Sequence, residues 1–149
     1  MSYKISFKTK WSDFDANKHM RHTAYNDYAA EARLRFLDEN GFGLSVMEKQ
    51  HIGPILFSEN TVFRREIKLG EDISIELFLE ASSENGERFK LKNFLYREDG
   101  ELAATISIYL AWIDLTKRKL AMPSNQIIKT LKTLEKTEDF EVILIKSKK

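Results

Sequence analysis

Within ten residues the chain places Asp13, Asp15, Asn17, His19 and His22, and two of its three histidines stand there. Carboxylates beside imidazoles suit proton transfer, activation of water or direct attack on an acyl carbon. The same groups could in principle ligate a divalent cation. However, their spacings match no established metal site, and His19-x-x-His22 straddles a loop and a helix start. A plainer role is also open: Asp13 or Asp15 caps a helix or closes a turn, and Asn17, His19 and His22 hydrogen-bond within the loop. Of the two acids, Asp13 is the better candidate for stabilising the turn.

Two elements must position this loop. Before it, Tyr3, Ile5, Phe7 and Trp11 alternate with Lys4, Ser6, Lys8 and Lys10, the period of a half-buried strand. After it, Tyr25, Tyr28, Ala29, Ala32, Phe36 and Leu37 recur at helical spacing from His22 to Asn40, where Asn40-Gly41 supplies the stop. Ala29, Ala30 and Ala32 form a belt of small residues on which a sheet can pack. The functional groups thus sit between a strand and a helix N-terminus, whose free N–H groups favour negative charge. Tyr25 and Tyr28, at that spacing, read as core.

The rest reads mostly as strand: 55–67 after Gly53-Pro54, then 73–79, then segments around Phe89–Tyr96 and Leu102–Leu115. Asn85-Gly86 and Asp99-Gly100 mark hairpin turns. Phe94 and Tyr96 sit out of phase with Phe89 and Leu91, which predicts a bulge or burial on both faces. Ile127, Ile128, Leu131 and Leu134 mark a short helix capped by Ser124, and Val142–Ile145 closes the apolar pattern. Successive hairpins require antiparallel neighbours, so the expected class is α+β, one domain over 1–149 with a helix on an antiparallel sheet.

Composition narrows the function. The 149 residues are 42% hydrophobic and 32% charged, with a formal net charge of +1, which gives no overall field for nucleic acid or an anionic membrane. Cysteine is absent, which removes disulfides, thiolate nucleophiles and cysteine-ligated metals. Residues 1–11 lack the apolar stretch of a signal peptide, and no run approaches the roughly 18 apolar residues of a membrane span. A cytoplasmic location is the expectation. Gly41-Phe42-Gly43 has no third glycine and follows a helix, so it reads as a stop and not a dinucleotide fingerprint. Neither a Gly-x-Ser-x-Gly elbow nor a P-loop occurs. No cofactor and no metal are expected.

The stretch W-S-D-F-D-A-N-K-H-M-R-H-T-A-Y-N-D-Y-A-A-E-A-R resembles the signature of the hotdog-fold acyl thioesterases, in the branch of 4-hydroxybenzoyl-CoA thioesterase and the YbgC-like enzymes. There an aspartate is followed seven positions on by Tyr or His and three further by an aromatic, as in Asp15, His22 and Tyr25. The chain is also similar to the plant acyl-ACP thioesterases, whose Asp-x-Asn-x-His is matched by Asp15, Asn17 and His19. Glu31 and Arg33 complete the likeness, and the strand–helix–four-strand order over roughly 3–115 follows the same plan. This resemblance implies a sheet of five to six antiparallel strands wrapped around one long central helix. It also implies a homodimer or homotetramer with the site built across the subunit boundary, Asp15 of one chain facing the helix N-terminus of the other.

Thioester hydrolysis asks little of such a site. A thiol with pKa near ~8.5 leaves with little proton assistance, so one carboxylate and a set of oxyanion donors can suffice. Asp15 is the candidate base or nucleophile, with Asn17, His19 and His22 orienting water or substrate. The backbone N–H groups near Thr23, Ala24 and Tyr25 are the candidate donors. Arg64, Arg65 and Lys146 are candidate contacts for the phosphates of coenzyme A or an acyl-carrier arm, although the lysines of 146–149 read better as a solvated tail. Two other functions stay open. A hotdog hydratase would carry Gly-Asp-x-Asn-Pro-x-His, but here Asn17 is followed by Lys18 and His19. A non-catalytic acyl-binding domain would bind acyl-CoA without releasing thiol.

Overall fold

The computed structural model describes residues 2–145. The alternating first segment is strand β1 (Tyr3–Phe7), followed by a single 3-10 turn at Trp11–Asp13 and the long helix α1 (His22–Glu39). A second helix, α2 (Leu44–Gln50), leads into β2 (Ile52–Phe63), β3 (Ile73–Ser83), β4 (Arg88–Tyr96) and β5 (Leu102–Asp114). Helix α3 (Asn125–Lys132) and strand β6 (Lys136–Ile143) are the last elements among the described residues. The sheet runs β1-β3-β4-β5-β2, with β6 also on β3. This is the α+β hotdog arrangement that the resemblance implied, a sheet folded over one long helix.

One strand departs from the antiparallel expectation. β6 pairs with β3 in parallel, along the edge stretch 79–83 that β1, paired to 73–77, leaves free. After β5 the chain crosses back by way of α3, and a crossover of that length permits parallel pairing where a hairpin does not. Ser124 caps α3 as expected, its Oγ accepting from the Ile127 N–H at 3.3 Å.

Helix α1 buries Tyr25, Tyr28, Ala29, Ala32 and Phe36 against the inner face of the sheet, with Ala29 and Ala32 fully enclosed. Ala30 lies on the exposed side, so the small-residue belt is narrower than the sequence suggested. β4 alternates without a break, pointing Phe89, Leu91, Asn93 and Leu95 inward. Phe94 and Tyr96 are half-buried on the outer face, Phe94 edge-to-face with Phe78 at 5.2 Å. Burial on both faces thus explains the phase switch. β2 begins at Ile52 and ends at Phe63, not at 55 and 67, and it tolerates Pro54 because it is the outermost strand.

Candidate functional site

The polar loop is a small hairpin of its own. The Arg21 N–H donates to the Asp13 carbonyl at 2.7 Å and the Asp15 N–H to the His19 carbonyl at 2.9 Å, with Phe14 bridged to Met20 between them. The tip is 16–18, where Lys18 takes the left-handed conformation at φ 63°. Asp15 Oδ1 accepts from the N–H groups of Asn17 (2.9 Å) and His19 (3.3 Å), a turn that fixes the carboxylate on its own backbone. Both Asp15 and Asn17 are exposed. No hydrogen bond to Asp15 Oδ2 occurs among the described residues.

The second arm of this hairpin docks on the segment after β2. Met20 N–H donates to the Ile67 carbonyl and Leu69 N–H to the Lys18 carbonyl, each at 2.9 Å. This docking brings His19 to Glu66, with Nε2 and Oε2 3.0 Å apart. Sequence reading missed Glu66. Its only signal was the charged run Arg64-Arg65-Glu66 closing an apolar strand, and its pairing with His19 depends on tertiary docking that no local pattern encodes.

The same arm runs directly into α1. Arg21 is the N-cap residue and provides no side-chain cap. Its guanidinium instead ties the two ends together, Nε donating to the Ser12 carbonyl (2.7 Å) and Nη1 to Thr23 Oγ1 (2.9 Å). The Ala24 N–H is occupied by the Arg21 carbonyl at 2.9 Å, so Ala24 is not a free donor here. The N–H groups of His22 and Thr23 have no acceptor among the described residues, which leaves the dipole end of the helix open to an anion.

His22, Tyr25, Arg64, Arg65 and Glu66 line one shallow pocket of about 280 Å³ beside this first turn. Tyr25 is a wall of it: it is buried, its ring meets Phe63 edge-to-face at 5.0 Å, and burial raises its hydroxyl pKa. The pocket unites His22 with Arg64 and Arg65, while Asp15 and Asn17 stand outside its lining. Lys146 lies outside the described residues. A larger hollow of about 590 Å³ beside β6 contains none of the candidate residues.

Asp13 is buried, and its Oδ2 accepts from the Lys10 N–H (2.9 Å) and the Tyr28 hydroxyl. Burial and that neighbouring carboxylate push the Tyr28 pKa upward. Glu31 pairs with Arg35 at 2.8 Å on the helix surface. Arg33 lies against the sheet with Nη1 buried and unpartnered, and burial lowers its pKa. Among the described residues no three His, Asp or Glu side chains form a metal-holding group.

A family model of the thioesterase-like superfamily matches residues 9–131, which spans the hairpin, α1, strands β2 to β5 and most of α3. The chain belongs to the thioesterase-like superfamily. No curated protein matches this thioesterase-like chain significantly. Solved structures do. A Staphylococcus aureus protein in complex with CoA is 22% identical over 90% of this chain and 86% of its own, with a TM-score of 0.80. A DHNA-CoA thioesterase from the same organism is 22% identical, covering 89% of each chain at a TM-score of 0.79. A 1,4-dihydroxy-2-naphthoyl-CoA thioesterase from Synechocystis is 15% identical over 90% of this chain and 98% of its own, also at 0.79. At these identities the likeness establishes a common fold.

Proposed function

We propose that this thioesterase-like protein hydrolyses an acyl-CoA, or an acyl group on a carrier protein, to the free acid and the thiol. One observation carries the reading: the hairpin holding Asp15 continues without interruption into the open N-terminus of α1. A carboxylate and a set of unoccupied N–H donors therefore come from one corner of the same chain, and not from two facing chains. Asp15 activates water or attacks the thioester carbonyl. The Thr23 amide, with that of His22 beside it, is the donor that holds the oxyanion, aided by the positive end of the helix. His19, oriented by Glu66, and His22 and Asn17 position water and the departing thiol. Arg64 and Arg65 take the phosphates of the carrier arm, Arg64 having no ion-pair partner among the described residues.

Family membership and the CoA-bound and CoA-thioesterase neighbours support the substrate class. No helix among the described residues is long and apolar enough to cross a membrane, and we place the protein in the cytoplasm. β2, the uncovered outer strand of the sheet, exposes Leu56, Phe57, Val62 and Phe63. An apolar edge of that length calls for cover, and a second copy of the chain supplies it.

The test is release of free thiol from a panel of acyl-CoAs, followed with a thiol-reactive dye. Wild type turns over at least one of them, and Asp15→Asn lowers turnover by about 100-fold or more with little change in KM. Saturable acyl-CoA binding without thiol release by the wild-type protein identifies a binding domain instead.

A further inference from the structure

The corner that carries Asp15 rests on a buried pair that takes no part in the chemistry. Asp13 is 6% exposed and Tyr28 9% exposed, and they meet beneath the base of the hairpin. Asp13 also fixes that base from two sides: its carbonyl accepts the Arg21 N–H at 2.7 Å, and its carboxylate accepts the Lys10 N–H at 2.9 Å. Tyr28 stands on α1, the helix whose first turn offers the free amides, and its ring packs on Phe7 of β1 at 5.3 Å between centroids. One side chain thus links the strand before the loop, the hairpin and the helix after it.

We infer that the Asp13–Tyr28 pair is a positioning device, setting Asp15 at working distance from the first turn of α1. Three points favour this over simple loop stability. The loop already has a full set of local bonds: Asp15 to His19, Phe14 to Met20, and Arg21 to Ser12 and Thr23. Those bonds shape the hairpin; its tilt against the helix axis is left to the docking of its second arm on 67–69 and to its attachment at the base. Among the described residues, the Tyr28–Asp13 hydrogen bond is the one that joins that base to the second turn of α1. Finally, a buried carboxylate is costly without good partners, and this one has a helix-borne hydroxyl as one of its two. A small error in tilt becomes a larger one at Asp15 and is costly in rate, because reacting groups must meet within a fraction of an ångström.

The inference rests on Asp15 being the reacting carboxylate, so Asp15→Asn is measured beside it. The expected pattern is an inactive Asp15→Asn, with Tyr28→Phe and Asp13→Ala folded by circular dichroism and turning over about tenfold or more slowly. Their KM values stay within about twofold of wild type, because carrier-arm contacts are untouched. Asp13→Asn keeps an oxygen acceptor for both donors and restores turnover to within about threefold of wild type. A Tyr28→Phe protein with wild-type turnover, beside an inactive Asp15→Asn, overturns the positioning role. So does an Asp13→Asn no better than Asp13→Ala, since acceptor geometry would then be irrelevant. An Asp15→Asn with full turnover instead removes the catalytic reading itself.

Discussion

At the scale of single residues, the His19–Glu66 contact separates a functional from a structural role. Both side chains are well exposed, 38% and 68%, and so exposed a contact contributes only about 0–1 kcal/mol even when charged. Glu66→Gln should therefore leave the urea midpoint nearly unchanged. Turnover should nonetheless fall about 10- to 100-fold, because an imidazole without its carboxylate loses its orientation and its preferred tautomer. Steady-state thiol release beside a urea titration gives both readings, and a loss of stability with intact turnover would assign the pair to loop architecture. Asp15, His19 and His22 were readable in the sequence because they crowd one polar stretch between two periodic ones. Glu66 was not, since its partner comes to it through the Met20–Ile67 and Leu69–Lys18 backbone bonds. The occupied N–H of Ala24 was equally hidden, because which amide a helix start leaves free depends on how tightly its first turn winds.

Elements divide in the same way. α1 was legible almost to the residue, because eighteen residues of one period outweigh any local ambiguity. β6 was not: Lys136–Ile143 is polar and only partly buried, and it is held as a strand by the edge of β3 more than by its own pattern. α2, seven residues long, is likewise too short for a period to declare itself. The turns were legible through their glycines, and two of them allow strain to be separated from crowding. Gly86 and Gly100 have φ of +72° and +86°, but a Cβ on Gly86 would meet Ile128 Cγ1 at 3.1 Å, while none would lie within 4 Å of a Cβ on Gly100. Gly100→Ala should therefore cost only the left-handed penalty, about 1–2 kcal/mol. Gly86→Ala should cost measurably more, because Ile128 of α3 must also give way and the Gly86 carbonyl holds the Trp112 indole N–H at 3.1 Å. Chemical denaturation of the two variants checks the order; equal losses would mean that α3 yields freely.

For the whole molecule the decisive feature is the outer strand. β2 runs for twelve residues with Glu59 as its one charged side chain, and Leu56, Phe57, Val62 and Phe63 are each 41–51% exposed. Single chains blunt such an edge with lysines, bulges or covering loops. β2 has a register shift between Leu56 and Ser58 and no lysine. It also leads straight into Arg64, Arg65 and Glu66, so whatever covers the edge also forms a wall of the pocket. The pocket is shallow in the single chain, which is the expected condition of a site completed by a second copy. Light scattering should accordingly give a mass at or above twice 17.4 kDa. Placing lysines at the edge, Leu56→Lys with Val62→Lys, should shift the protein toward the single-chain mass. Turnover should fall with the dimer fraction and recover as protein concentration rises, because association is governed by mass action. A folded single chain with full turnover at every concentration would mean that the pocket beside α1 is complete as it stands.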